Sequence, residues 1–198
     1  MTGTAWWQVS DGRRPANRLG FVVDVVGYGQ RSVPEQELVQ NRLQALLRAV
    51  VTDVGDDFDE ADRDSGAGDG LVVLPAGAGD PTEQLPALLR SVKSRLAEDN
   101  AAAVDRIRLR MAVGTGQVAG FAGPLVVNIS RLVDSEPLRR AVAGNPEADL
   151  GVLVLDVLRH EVVPCYVPLV ADCVELVDVA MKEFVDEAWL LASRPQGR

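Results

Sequence analysis

Apolar positions along the chain fall into blocks of two periods. Residues 19–28 (LGFVVDVVGY) form an apolar, β-branched run, which predicts a buried central strand with a single acid, Asp24, in its middle. Ser32, Pro34 and Glu35 then read as a helix start, a capping box with proline in the first turn. Val39, Leu43, Leu46, Leu47 and Val50 follow at helical spacing. Leu71 to Leu74, closed by Pro75, predict a short strand fed by a turn at Gly68-Asp69-Gly70. Leu85, Leu88, Leu89, Val92 and Leu96 mark a second helix, with Asp80 or Thr82 as its cap and Pro86 near its start. Residues 106–113 alternate polar and apolar, predicting a strand with one wet face, and residues 114–118 predict its hairpin partner. A third helix is expected from near Asn128 through Leu132 and Leu138, with Pro137 as a break point. Residues 151–155 form another buried strand, and short strands follow Tyr166, ending near Trp189-Leu190-Leu191. The order β-α-β-β-α-β predicts an α+β fold with helices on one face of a sheet. Residues 1–18 are expected to be an N-terminal arm and residues 19–198 a single domain.

Composition narrows the function classes. The 198 residues carry 20 Lys+Arg against 29 Asp+Glu, a formal charge of −9. So acidic a chain has no positive field to hold a nucleic acid polymer or an anionic membrane. The two cysteines, Cys165 and Cys173, and the lone His160 are too few for a Cys/His zinc site. They predict two buried thiols in a reducing compartment, with a Cys165–Cys173 disulfide as the alternative. No apolar run reaches the roughly 18 residues that a spanning helix needs, and residues 1–14 lack a secretory apolar region despite Trp6 and Trp7. The expected location is the cytoplasm. The acid-rich stretch 56–64 predicts a solvated loop.

Asp24 and Asp69 stand where patterning disfavours a casual charge. The first interrupts a run of valines; the second lies between glycines beside the next strand. A carboxylate in such a place needs a cation, a basic side chain or backbone N–H groups. Two readings stand. In one, the two strands are neighbours and both carboxylates converge on a hard divalent cation, Mg²⁺ or Mn²⁺, together with substrate phosphates. In the other, Asp24 pairs with Arg108 or Arg110, and Asp69 only shapes a turn.

Four motifs in order carry a family resemblance. Asp24-Val25-Val26-Gly27-Tyr28 resembles the D-[IV]-V-G-[FY] first-strand motif of class III nucleotidyl cyclases, and Gly68-Asp69-Gly70 resembles their second aspartate. Residues 108–118 resemble their R-[IM]-G-[IV]-H-x-G-x-V strand pair, and residues 123–132 their G-P-x-V-N-x-A-x-R-L segment. The match runs over residues 19–156, and Trp189 fits a late strand of actinobacterial relatives. The resemblance implies a ferredoxin-like β-α-β-β-α-β core with extra C-terminal strands. It also implies conversion of a nucleoside triphosphate to a 3′,5′-cyclic nucleotide and pyrophosphate. Asp24 and Asp69 would hold two divalent ions, Mg²⁺ or Mn²⁺, per site. Backbone N–H groups of Val25, Val26, Gly27 and Tyr28, with Lys182, would meet the triphosphate. Arg131 would steady the transition-state phosphate and Asn128 the ribose. A head-to-tail homodimer would build each site from both chains.

The sequence departs from the family at two places. Asn128 and Arg131 are three residues apart rather than four, so an ungapped match puts Val127 at the asparagine position. A base-reading lysine four residues before Asp69 is replaced by Ser65, and its partner position is Pro124 or Leu125. The adenine-reading pair is thus absent. The base is left open, with UTP and CTP among the candidates, as in the pyrimidine cyclases of Pycsar antiphage defence. The alternatives are a degenerate cyclase-like domain that binds a nucleotide or a protein without catalysis, and a ferredoxin-like interaction domain. His160 receives no role.

Overall fold

The computed structural model describes residues 16–64, 70–77, 80–155, 173–181 and 184–192. Strand β1 spans Ala16–Val25, helix α1 Val33–Asp53, β2 Asp62–Asp64, β3 Gly70–Leu74 and α2 Pro81–Ala102. Strand β4 (Leu109–Val118), helices α3 (Pro124–Val133) and α4 (Glu136–Gly144), and strands β5 (Leu150–Leu155), β6 (Cys173–Met181) and β7 (Phe184–Ala192) follow. One sheet holds all seven strands in the order β2-β3-β1-β4-β5-β7-β6. Only β4 and β5 run parallel; every other neighbouring pair is antiparallel. The α+β architecture agrees with expectation. Strand β1 starts at Ala16, inside the stretch expected to be an arm; residues 1–15 lie outside the described residues.

The helices are not on one face, as the element order had suggested. Strand β1 shows why. Its side chains alternate across the sheet, and both sets are buried. Leu19, Phe21, Val23 and Val25 pack against α1 and α2 through Val39, Leu47, Val50, Leu88, Val92 and Leu96. Val22, with Leu74 and Ala112, packs on the other face against Leu125, Ile129 and Leu132 of α3 and Leu138 and Val142 of α4. Two apolar faces require two covering layers.

Two further expectations are corrected. Residues 114–118 do not turn back into a hairpin; they continue β4, which pairs with β1 from Leu109 to Val118. The reversal comes later, at the bridge between Ala119 and Ala122. Gly114 and Gly116 stay extended under close cover, Gly114 from Leu155 of β5 and Leu125 of α3, and Gly116 from Leu125. A Cβ on Gly114 would be 2.3 Å from Leu155 Cδ1, and one on Gly116 would be 3.1 Å from Leu125 Cβ. Helix α3 also begins four residues earlier than expected. Gly123 supplies the N-cap with φ 146°, and Pro124 occupies the first turn. Ser135 then caps a separate helix, α4, so Pro137 starts a helix rather than breaking one.

Capping chemistry elsewhere follows the sequence. The Ser32–Glu35 box opens α1: Ser32 N–H and Oγ–H both donate to Glu35 Oε2, at 2.7 and 2.6 Å. At α2, the Asp80 carbonyl accepts from the N–H groups of Glu83 and Gln84. The acid-rich stretch is more ordered than a solvated loop. Asp62 to Asp64 form β2, Asp56 accepts from Gly77 N–H, and the Arg48 and Arg63 guanidiniums stand over Phe58. No helix among the described residues is long and apolar enough to cross a membrane.

Candidate active site

Asp24 is the next-to-last residue of β1 and 9% exposed, the one acid buried among the described residues. Register explains its surroundings. Within the antiparallel β1–β4 pair, Asp24 stands directly opposite Arg110; on the other side it stands opposite Gly70. Arg110 in turn faces Gly151 of β5. A row Gly70–Asp24–Arg110–Gly151 therefore crosses the α3/α4 side of the sheet, with a carboxylate and a guanidinium flanked by two glycines. Both glycines mark close approaches. A Cβ on Gly70 would lie 2.9 Å from the Val23 carbonyl oxygen, and one on Gly151 would lie 2.5 Å from Val142 Cγ2.

Of the two partners expected for Asp24, a cation or an arginine, the structure places an arginine. Arg110 Nε donates to Asp24 Oδ2 at 2.8 Å, and Arg110 Nη2 donates to the same oxygen. The side chains are 16% and 12% exposed, so this is a largely buried ion pair. Arg108, the other candidate, does something else. It reaches the carbonyls of Val142, Asn145 and Ala148 and so closes the C-terminal end of α4. Burial, and then the Arg106 charge, push the Arg108 guanidinium below its ordinary value.

The segment after Asp24 is built as a tight turn. Val26 N–H donates to the Arg108 carbonyl, extending the β1–β4 ladder by one bond. Gly27 then adopts φ 73°, a left-handed conformation that favours glycine, and a single 3₁₀ turn follows at Tyr28–Gln30. Gln30 N–H returns to the Gly27 carbonyl, and Gln36 Nε2 reaches the Arg31 and Tyr28 carbonyls. Tyr28 packs against the apolar core. Among the described residues no backbone carbonyl takes the N–H groups of Gly27, Tyr28 or Gly29. Those donors are available to an anion at the end of β1, as in turns that cradle phosphates.

On α3, Asn128 and Arg131 are both half-buried and Val127 is 46% exposed. Leu125, Ile129, Leu132 and Val133 form the inward stripe. At about 100° per residue, Arg131 lies between Val127, about 40° to one side, and Asn128, about 60° to the other, all three away from that stripe. Residues three apart on a helix are neighbours, as are residues four apart. The one-residue offset therefore leaves Asn128 beside Arg131. Leu125, one of two positions matched to the family's base-reading partner, is 2% exposed beneath Gly116 and is core; Pro124, the other, is exposed.

Asp69, Lys182, Ser65, His160, Cys165, Trp6 and Trp7 lie outside the described residues, as does any Cys165–Cys173 contact. The structure thus brings Asp24 to the turn formed by Val25, Val26, Gly27 and Tyr28 and puts Gly70, which follows Asp69 in the chain, opposite it. Among the described residues no group of three or more His, Cys, Asp or Glu side chains is placed to hold a metal ion. The donor chemistry at Asp24 still suits a hard cation. A carboxylate offers about four lone-pair positions, and both Arg110 contacts fall on Oδ2. Sequence reasoning named Arg110 beside Arg108 as a partner for Asp24 without choosing between them; the β1–β4 register chooses Arg110.

No known family profile matches the chain, and no curated protein sequence matches it. Solved structures do. The fold is similar to the catalytic core of a rhodopsin-guanylyl cyclase of converted specificity in complex with ATPαS, with TM-score 0.61, 12% identity, and 91% of this chain and 99% of that chain covered. It is similar to the adenylyl cyclase CyaB from P. aeruginosa, with TM-score 0.54, 16% identity, and 93% and 100% covered. It is also similar to a dimeric guanylyl cyclase domain of a rhodopsin fusion protein from the aquatic fungus Blastocladiella emersonii, with TM-score 0.60, 11% identity, and 91% and 99% covered. The chain has the fold of an adenylyl or guanylyl cyclase catalytic domain.

Proposed function

We propose that this protein is a nucleotidyl cyclase, acting as a homodimer in the cytoplasm. It converts a nucleoside triphosphate to a 3′,5′-cyclic nucleotide and pyrophosphate. The observation that carries this reading is the position of Asp24. It is a buried carboxylate at the end of an interior strand, beside a Gly27 turn with spare N–H donors and opposite the start of β3, in a cyclase fold.

In the reaction the ribose 3′ oxygen attacks the α-phosphorus, its proton passes to solvent, and the bond to the β-phosphate oxygen breaks to release pyrophosphate. No covalent bond to the protein is needed, so the protein's work is positioning and electrostatics. Asp24 and Asp69 would hold two Mg²⁺ or Mn²⁺ ions, which supply a lowered pKa for the 3′-OH and charge neutralisation at the phosphates. The 25–28 backbone would orient the triphosphate with its N–H groups. Arg131 and Asn128, on one flank of α3 of the second copy, would meet the α-phosphate and the ribose. Lys182 of that copy would meet the leaving phosphates. Without a base-reading lysine at Ser65, UTP and CTP join the candidate substrates. Synthesis of a pyrimidine messenger for antiviral defence is the role suggested by likeness to the Pycsar group.

The test is direct. Purified protein with Mn²⁺ and each of the four ribonucleoside triphosphates should yield a cyclic monophosphate from at least one, identified by mass. Mixing Asp24→Ala with Arg131→Ala, each inactive alone, should restore part of the activity, because one of the two mixed sites is then intact. Linear products or none with all four nucleotides would favour the second reading, a cyclase-like domain that binds without catalysis. The Asp24–Arg110 ion pair is the observation that favours that reading.

A further inference from the structure

Resting on the reading that the turn after β1 meets the substrate triphosphate, we propose that Gln36 of α1 is a positioning residue for that turn. It holds turn carbonyls towards the helix and so aims the opposite N–H group at the anion. Gln36 Nε2 donates to two carbonyls, that of Arg31 at 3.1 Å and that of Tyr28 at 3.4 Å. A side-chain amide nitrogen carries two hydrogens, one for each acceptor. The Tyr28 carbonyl also takes the Arg31 N–H at 3.0 Å, and the Gly27 carbonyl takes the Gln30 N–H at 3.2 Å. In a planar trans peptide the carbonyl and the following N–H point in opposite directions. The Tyr28 carbonyl, held from α1, therefore turns the Gly29 N–H away from the helix. The Gly27 carbonyl, held by Gln30, fixes the direction of the Tyr28 N–H in the same way. A Cβ built on Gly29 meets no atom within 4 Å, so this peptide borders open space rather than packed protein.

Other groups fasten the two ends of the turn. Val26 N–H donates to the Arg108 carbonyl at 2.9 Å, and the Arg31 guanidinium pairs with Asp105. Both bonds run to the connector between α2 and β4. Neither reaches the peptide between Tyr28 and Gly29; among the described residues Gln36 is the side chain that does. Without Gln36 that peptide keeps one hydrogen bond, from Arg31 N–H, and can rotate while the ends stay in place. Loss of Gln36 thus acts on the direction of an N–H group and not on the fold. Backbone N–H groups that hold the triphosphate do so before and during the reaction, so their misdirection raises KM and leaves kcat.

The experiment measures binding of inorganic tripolyphosphate, with Mg²⁺ present, to the full chain by titration calorimetry, and follows the Gly29 amide by NMR. Gln36→Met is similar in length and has no donors. It should bind about tenfold more weakly or worse, the usual worth of one hydrogen bond to a charged group. Tripolyphosphate should also shift its Gly29 amide less than in wild type. With nucleotide, KM should rise by the same factor at nearly unchanged kcat. Val50→Ala, at a buried position further along the same helix, is the control: it should lower the melting temperature and leave tripolyphosphate affinity unchanged. Where Gln36→Met fails to fold, Gln36→Glu serves the same test, having glutamine's shape and an acceptor in place of the donor. Wild-type affinity in the Gln36 variant, or equal weakening in Val50→Ala, overturns the proposal and leaves the cyclase reading standing. No binding by wild type, with no shift at Gly27, Tyr28 or Gly29, removes the triphosphate reading of the turn and the proposal with it.

Discussion

The two faces of the central sheet are stabilised by different means. Towards α1 and α2, β1 presents Leu19, Phe21, Val23 and Val25, all buried in one large apolar cluster. Towards α3 and α4 the same strand presents Gly20, Val22 and Asp24, and β4 presents Arg110, Ala112, Gly114 and Gly116. The first face is stabilised by bulk. The second is stabilised by fit, because its glycines let helix side chains touch backbone, and it ends in an ion pair. The comparison shows where chemistry can sit in this molecule. A face filled with large apolar side chains has no room for a polar row, whereas the glycine-lined face carries one at its edge, next to the turn at Gly27.

The largest expected effect breaks the bulk face. Phe21 is fully buried, and Phe21→Ala should cost about 3–5 kcal/mol of unfolding free energy, the usual cost of such a cavity. Urea unfolding should show a lower midpoint at unchanged slope. A loss under about 1 kcal/mol would mean that this face repacks freely and that the contrast drawn above is wrong.

The glycine face should fail in the opposite direction, by overfilling. Gly114→Ala brings a methyl group to 2.3 Å from Leu155 Cδ1 and 3.2 Å from Leu125 Cδ1. Enclosed on both sides, it should cost about 1–3 kcal/mol, read in the same urea experiment. A neutral or stabilising result would mean that α3 and β5 yield easily, and that glycine there serves something other than close packing.

The smallest expected effect concerns the outer side of the bulk face, where α1 is tied to α2. Arg95 donates to both oxygens of Asp53, at 2.9 and 2.8 Å, and Ser91 Oγ donates at 2.6 Å. These hydrogen bonds hold the Asp53 carboxyl down at about 2, against an ordinary 3.8. A folded-state value below the unfolded one stabilises at pH above the ordinary value, and the gain is lost as pH falls through 3.8 towards 2. Asp53→Asn should therefore lower stability slightly near neutrality, where the gain is present, and flatten the acid side of a stability-against-pH curve between pH 4 and 2. An unchanged acid limb would show the pair to be too solvated to matter.

Much of this was legible locally. The capping box at Ser32–Glu35 and the inward stripes of α1 and α2 depend on neighbours a few residues away, and they appear where the pattern puts them. Asp24 stood out because a charge in a valine run is costly wherever that run folds. Other features were not legible. Gly114 and Gly116 look like turn residues until the helix resting on them is known. Leu153 of β5 and Ala188 of β7 look like any other buried strand residues until α4 is seen covering that side of the sheet.

By itself the sequence determined the elements, the placing of Asp24 in an interior strand and the turn at Gly27 that follows it, because propensity, capping and periodicity are short-range effects. Only the tertiary structure decided that helices cover both faces, that β4 runs unbroken through its glycines, and that Asp24 meets Arg110 rather than Arg108. That last choice joins residues 86 positions apart. It follows from strand register: a shift of two residues would keep the face and put Arg108 opposite Asp24 instead.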